Sequence, residues 1–281
     1  MAGSIVVVKL GGAVTAVHAE LTNLIADVAD LVAAGSRVVI VHGGGAEVST
    51  LSRRLGLKPH LVDGVRQTSA EEMDVVDMVL CGLVNKRVVR ACGAAQVAAV
   101  GLCGSDGGLF AVRRLPPNSH DRGASHTGEV AAVNPKLIHH LLGAGYLPVV
   151  ASPAHLAPDV PMNINADAAA LELAPALRAQ ALLFLSDVAG VMRKGAPVAA
   201  LTPDGAEVEI ARNSITGGMI PKVRAAVGAL RRGVSSVVVG RYEGRHSLQR
   251  MMAGQQGTMM QATTVASVVP TENRAQSGGV T

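Results

Sequence analysis

The sequence predicts an α/β protein in which a parallel sheet is sandwiched between helices. Three observations carry this. Short apolar runs alternate along the chain with segments of helical three-and-four spacing. Hydrophobic residues make up 49% of the chain, yet there is no Trp and only two Phe and two Tyr, so the core must be filled by small aliphatic side chains. Such a core suits buried parallel strands covered by helices. Finally, glycines gather where the apolar runs end. At 281 residues the chain can bury a sizeable core as one large domain or two modest ones.

Taken in order, Ile5 to Leu10 is an apolar strand ending in Lys9-Leu10-Gly11-Gly12. Residues 19–34 carry Leu21, Leu24, Ile25, Val28, Leu31 and Val32 on one helical face, with Gly35 as the stop. Val38 to Val41 is a second strand, closed by His42-Gly43-Gly44-Gly45, and Glu47 to Leu55 reads as a shorter helix. Residues 70–91 predict a long helix with Met73, Val76, Val79, Leu80, Leu83 and Val84 on one side. Val97 to Leu102 is a buried strand, 108–133 reads as hairpins and loops, 135–143 as helix and Leu147 to Ala151 as strand. A new unit then begins. It has an Ala-rich helix at 166–178, a strand Ala181 to Leu185 ending in Ser186-Asp187, and a Gly- and Pro-punctuated segment over 189–213. A helix at 218–232 and a strand Val237 to Gly240 complete it. Two lobes on one continuous sheet follow, 1–165 and 166–262, with the Thr-, Ser-, Gln- and Gly-rich tail 263–281 expected to be disordered.

Composition excludes several classes. The formal charge is only +4, and no basic run interleaves with aromatics, which argues against a nucleic-acid surface. Cys81, Cys92 and Cys103 form no C-x-x-C pair, as expected of structural thiols in a reducing compartment. No apolar run reaches membrane-spanning length, and Met1-Ala2-Gly3-Ser4 lacks a charged leader. A soluble cytoplasmic protein is the expectation.

In open parallel sheets, ligands bind beyond the carboxyl ends of the strands. Gly11-Gly12 and Gly43-Gly44-Gly45 sit at two such ends, each opening a helix. Consecutive glycines either serve tight turns or let backbone N–H groups approach an anion. Neither cluster is a Walker loop or a dinucleotide fingerprint. Lys9 ends an apolar strand, where a lysine needs an anion or a route to solvent. Lys222 could be an ordinary exposed helix lysine, Asp167 a helix cap, and Asp187 a turn cap. Jointly, two lysines, two glycine cradles and a carboxylate at strand ends suffice for phosphoryl transfer, which depends on positioning and charge neutralisation.

Seven segments, in this order, resemble the amino acid kinase family, and within it the enzymes that phosphorylate N-acetyl-L-glutamate. They are Val8-Lys9-Leu10-Gly11-Gly12, Val41-His42-Gly43-Gly44-Gly45, Asp63-Gly64-Val65-Arg66-Gln67-Thr68 and Met78-Val79-Leu80-Cys81-Gly82-Leu83-Val84-Asn85-Lys86. The rest are Asn163-Ile164-Asn165-Ala166-Asp167, Ser186-Asp187-Val188-Ala189-Gly190-Val191 and Gly217-Gly218-Met219-Ile220-Pro221-Lys222. The resemblance implies a three-layer αβα sandwich around a mainly parallel central sheet. The N-terminal lobe would bind the amino acid and dimerise, and the C-terminal lobe would bind the nucleotide.

The implied activity is ATP-dependent phosphorylation of the side-chain carboxylate of N-acetyl-L-glutamate, a step of arginine biosynthesis. Lys9 and Lys222 would neutralise the transferring phosphoryl group, with Asp167 holding both. Gly11, Gly12, Gly44 and Gly45 would offer backbone N–H groups, and Arg66 and Asn163 would hold the acylated amino acid. Asp187, Val188, Ala189, Gly190, Val191, Met192, Ser214, Ile215 and Thr216 would line the nucleotide site. Mg²⁺ would ride between ATP phosphates.

Departures from the family pattern fall at Gly104 to Gly108, Gly123 to Glu129, and Arg193-Lys194. The rival reading is a kinase for aminoadipate or glutamate attached to an amino-group carrier protein; a non-catalytic regulatory homologue is the other. With four residues before the first strand, and Arg250 in the segment Gly244 to Met252, the resemblance implies a homodimer insensitive to arginine; helix 70–91 is the candidate dimer surface, with burial in the core as the stronger alternative.

Overall fold

Alternation along the first strand, β1 (Ile5–Leu10), sets up two hydrophobic layers. Successive side chains of a strand point to opposite faces, so Ile5 and Val7 join one core while Val6, Val8 and Leu10 join the other. The computed structural model describes residues 3–62, 65–115, 126–216 and 219–261.

From β1 the chain passes through a short α1 (Gly12–Ala16) and α2 (His18–Ala33) to β2 (Arg37–His42), α3 (Gly45–Arg54) and a small hairpin, β3 (His60–Val62) and β4 (Val65–Gln67). One continuous helical run follows: α4 (Ala70–Asp77), a π-helical stretch Met78–Val84, and α5 (Asn85–Ala94). Then come β5 (Ala99–Cys103), β6 (Phe110–Arg114), β7 (Thr127–Val133), α6 (Lys136–Gly143), β8 (Leu147–Ala151), β9 (Ala154–Ala157) and β10 (Val160–Ile164). The second half comprises α7 (Ala166–Ala176), β11 (Ala181–Ser186), the two-residue strands β12 (Met192–Arg193), β13 (Ala196–Pro197) and β14 (Ala200–Leu201), and α8 (Pro203–Ala211). It ends with α9 (Met219–Arg231), β15 (Ser236–Arg241), α10 (Ser247–Met252) and β16 (Thr258–Gln261).

Eight strands form the central sheet in the order β14-β16-β15-β11-β1-β2-β8-β5. The run from β15 to β5 is parallel throughout, and β16 turns antiparallel against β15. Helices α6, α7, α8 and α9 cover the Val7 face, and α2, α5 and α10 the Val6 face. The fold is therefore the expected three-layer sandwich. Both halves of the sequence contribute to the one sheet, with β1 between β2 and β11 at its centre.

Three findings go beyond the sequence reading. The hairpins expected over 108–133 belong to a second, four-stranded sheet, β6-β7-β10-β9, whose central pair β7 and β10 is parallel. Residues 203–211, read within a broken segment, form α8. Its start is signalled by Thr202, whose Oγ1 accepts the Gly205 N–H at 3.1 Å, and by Pro203 in the first turn. The long helix over 70–91 is confirmed as a helical run, but it widens into a π-helix at its middle. The tail 263–281 lies outside the described residues.

Candidate active site

Lys9 shares the β1 face of Ile5 and Val7, which is the face covered by α7. That helix begins where it does because Asn165 caps it. The Asn165 Oδ1 accepts the backbone N–H of Asp167 at 2.8 Å and of Ala168 at 3.4 Å. Asp167 is thereby fixed in the first turn, where the helix dipole favours a carboxylate. Its Oδ1 lies 2.6 Å from Lys9 Nζ, with the two side chains 31% and 13% exposed. One proton of the ammonium is committed to Asp167; the group has three. The pair thus holds a cation at the mouth of the sheet with capacity for an anion.

The glycines of the β2–α3 junction have two different causes. A β-carbon at Gly44 would fall 2.9 Å from Leu80 Cδ2 and 3.1 Å from Val84 Cγ2, because the π-helical stretch packs directly on the loop. At Gly45 and Gly12 an added β-carbon would meet nothing within 4 Å, so packing does not dictate glycine there. Gly11 abuts the end of β11, its would-be β-carbon 3.0 Å from the Leu185 carbonyl.

Arg66 on β4 is buried and strongly held. Its Nη1 donates to Glu72 Oε1 at 2.5 Å, and its Nη2 donates to the Gly45 carbonyl at 2.9 Å and to Ser49 Oγ at 2.5 Å. Asn163 on β10 donates from Nδ2 to Thr68 Oγ1 at 2.9 Å. Thr127 on β7 ties the two, since its Oγ1 donates to the Arg66 carbonyl at 2.8 Å and accepts the Thr68 N–H at 3.0 Å. The second sheet therefore presents Asn163 beside the β4 strand that carries Arg66. Lys9, Gly12, Gly44, Gly45, Arg66, Asn163 and Asp167 all line one cleft of about 860 Å³. That volume is in the range of small-molecule sites.

The residues expected around a nucleotide lie at the adjoining ends of β11 and α9. Asp187 directly follows β11 and is exposed. A hydrogen bond from Ser186 is the main cause of its depressed pKa, and the positive charges of Lys222 and Arg241 add to it. Lys222 is exposed on α9 and makes no ion pair among the described residues. The structure thus brings Lys9 and Asp167 into contact, whereas Lys222 stands within electrostatic reach of Asp187. Val191 and Ile215 are fully buried in the core. The Val191 N–H is spent on Thr258 Oγ1 at 2.8 Å, and its carbonyl accepts from Val198 at 2.9 Å. Val188, Ala189, Gly190, Ser214 and Thr216 flank these two buried residues outside regular structure, and Met192 opens β12. Gly217-Gly218, Asp63-Gly64 and residues 123–125 fall outside the described residues.

Sequence reasoning gave no role to Glu72, Ser49, Thr68 or Thr127. One signal was available. Ser69 and Glu72 have capping-box spacing, and Ser69 does accept the Glu72 N–H, but the Glu72 carboxylate turns to Arg66 instead. His42 and Asn85 were also given no role. His42 is completely buried, and burial pushes its pKa down to about 4, against the opposing effects of the Gly43 carbonyl and Glu47.

Among the described residues one group of three could surround a metal ion, Asp27, Asp30 and His246. Arg245 already occupies its carboxylates, 2.5 Å from Asp27 and 2.9 Å from Asp30. The group serves to fasten α10 to α2.

The sequence model of the amino acid kinase family matches residues 4–241. An acetylglutamate kinase of Chloroflexus aurantiacus is 47% identical over 210 residues, 74% of this chain and 82% of the relative. An acetylglutamate kinase of Acaryochloris marina is 41% identical over 239 residues, covering 84% and 83%. Among solved structures, smu.665 from Streptococcus mutans superposes with a TM-score of 0.75 at 28% identity, covering 92% of this chain and 99% of that one. With its sheet order, its Lys9–Asp167 pair and its glycine-ended strands, the chain belongs to the amino acid kinase family.

Proposed function

We propose that the protein transfers the γ-phosphoryl group of ATP to the side-chain carboxylate of N-acetyl-L-glutamate, giving N-acetyl-L-glutamyl 5-phosphate and ADP. The observation that carries this reading is the Lys9 ammonium, held at 2.6 Å by Asp167 in the cleft that also contains Gly44, Gly45, Arg66 and Asn163. Acetylglutamate kinases at 41–47% identity over most of their length support the same substrate. A carboxylate oxygen attacks phosphorus as the bond to the bridging oxygen breaks. The acceptor is already ionised at neutral pH, so no general base is required. What the site must supply is charge neutralisation and alignment. Lys9 meets the reacting oxygens from below, and Lys222 approaches from α9. The N–H groups of Gly11, Gly12, Gly44 and Gly45 receive phosphate and carboxylate oxygens. Arg66 uses three of its five N–H groups internally, which leaves two for a substrate carboxylate. Asn163 meets the acylated amino acid.

Both carboxylates that line the cleft are already paired, Asp167 with Lys9 and Glu129 with Arg113. A Mg²⁺ ion would therefore be carried by the ATP phosphates, where it would offset their negative charge. In the C-terminal half, the turns Asp187 to Met192 and Ser214 to Thr216 hold the nucleotide, with Val191 and Ile215 as their buried anchors. Met78 and Leu83 are 55% and 48% exposed on the helical run from Ala70, and Leu61 is 52% exposed. These apolar side chains support a homodimer through that run. No helix of the described residues is long and apolar enough to cross a membrane, and the three cysteines are free thiols, which supports a cytoplasmic site of action. An assay of ADP release with and without N-acetyl-L-glutamate, with mass spectrometry of the product, tests the function. Release that is indifferent to N-acetyl-L-glutamate overturns it.

A further inference from the structure

We propose that His42 is a positioning residue: backed by Asn85, its imidazole holds the Gly43 carbonyl inward and so turns the Gly44 N–H toward the anion in the cleft. The proposal rests on the kinase reading of that cleft. The argument begins with the ring. His42 ends β2 and is completely buried, and it is not among the cleft-lining residues. Its Nδ1 lies 3.0 Å from the Gly43 carbonyl oxygen, which can only accept, so Nδ1 carries the proton. Its Nε2 lies 3.1 Å from Asn85 Nδ2. The Asn85 amide cannot be turned round, because its Nδ2 also faces the carbonyl oxygens of Val149 at 2.9 Å and Leu102 at 3.2 Å, while Oδ1 accepts from Lys86 Nζ at 3.2 Å. The Asn85 NH2 shares two protons among these three acceptors and has no lone pair to offer, so Nε2 carries no proton and the ring is fixed as one neutral tautomer.

The peptide unit does the rest. The Gly43 C=O and the Gly44 N–H belong to one planar trans peptide, in which they point in opposite directions. Anchoring the carbonyl on the buried imidazole aims the N–H away from it, and Gly43, Gly44 and Gly45 are the part of this segment that lines the cleft. With two neighbouring glycines free of side-chain restraint, such aiming has to come from outside the loop.

Two further features preserve the device. In β5, a β-carbon at Gly101 would fall 2.0 Å from Asn85 Oδ1 and 2.7 Å from Lys86 Nζ, so this strand leaves room for the amide. Leu80 and Val84, just ahead of Asn85 in the same helical run, close on Gly44 from its other side. An apolar residue would fill the His42 space without desolvating a ring. The histidine contributes the one thing an aliphatic side chain lacks, a directed donor to Gly43.

Two measurements test this. In ¹⁵N spectra of histidine-labelled protein, the His42 ring should show a protonated Nδ1 and a bare Nε2, unchanged from pH 8 to pH 5. The opposite tautomer, or an imidazolium forming near the ordinary histidine range, overturns the proposal. This readout needs no turnover, so it stands apart from failure of the kinase assignment, which inactive wild-type protein would reveal. In the second measurement, His42→Leu should lower kcat about a hundredfold, the scale of one lost transition-state N–H donor, with KM for ATP little changed. His42→Asn, whose amide can donate to the Gly43 carbonyl, should recover much of that loss. Normal kcat in His42→Leu, or equal loss in both variants at unchanged melting temperature, overturns the proposal. Should His42→Leu fail to fold, Asn85→Ser takes its place: the ring tautomer and kcat should change together, and no change in either overturns the assignment.

Discussion

A residue's chemistry here depends on which partner it already has. Lys9 is restrained by Asp167, and Lys222 has no ion-pair partner among the described residues. Replacing either by Ala should lower kcat by an amount equivalent to about 3 kcal/mol, with smaller changes in KM, because the lost charge matters most in the transition state. Steady-state kinetics of Lys9→Ala and Lys222→Ala check this; near-normal turnover would remove that lysine from the mechanism. Arg66 differs, since its charge is balanced by buried Glu72 at 2.5 Å. Arg66→Ala should raise KM for the amino acid and also destabilise the fold by about 3–5 kcal/mol, the cost of leaving a buried carboxylate unpaired. Denaturant titration separates the two effects, because Arg66→Ala with Glu72→Leu should recover stability but not KM. His42 makes its own contribution. The folded state keeps it neutral to about pH 4, whereas an unfolded chain binds that proton below about 6.5. The unfolded state therefore binds more protons between those limits, and stability falls as pH drops through that window, by about 3 kcal/mol in full. Comparing urea midpoints of wild type and His42→Asn at pH 7.5 and pH 5 isolates this. Parallel losses in the two proteins would mean the ring is not neutral.

At the scale of elements, the site depends on where two helices start. Asn165 sets the first turn of α7 and so the position of Asp167. Asn165→Ala should cost about 1 kcal/mol of stability and a larger share of kcat than that loss explains, because Asp167 would no longer be indexed against Lys9. Thermal melts paired with kinetics test it, and a loss of stability with unchanged kcat would separate cap from catalysis. The second start is α3, whose opening glycines lie under the π-helical stretch Met78–Val84. A widened turn there presents Leu80 and Val84 to Gly44 while Met78 and Leu83 stay exposed. The hairpin character of 108–133 was legible from its punctuation. Its union with β10 was not, because β7 and β10 are parallel neighbours joined through a helix and other strands, and no local pattern encodes such a partner.

For the whole molecule, the central position of β1 matters most. Lying between β2 and β11, it sets the glycine ends of β1 and β2 beside the Asp187 end of β11, so that the proposed amino-acid cleft and nucleotide segments adjoin. The exposed apolar residues of the helical run make a prediction at this scale. Light scattering should give a dimer, and Met78→Asp with Leu83→Asp should give a monomer. A monomeric wild type, or an arginine-inhibited hexamer, would overturn the assembly read from the sequence.

The amino-acid sequence determined the fold class, the order of the principal strands and helices, and the glycine and lysine positions at strand ends. These are local matters: periodicity, aliphatic composition and turn residues act over a few neighbours. Lys9 was legible as a misfit in an apolar strand, and Asp167 as a helix cap, although the cap is Asn165 and Asp167 lies in the first turn. That the two meet at 2.6 Å was decided by the tertiary structure, which stacks the α7 start on the odd-numbered face of β1. The tertiary structure alone also decided that Arg66 is paired with Glu72, that Val191 and Ile215 turn into the core, and that Asn85 stands behind His42 across 43 positions of sequence. Each of these is a contact between elements, and its energy depends on burial and distance, which exist only once the chain has folded.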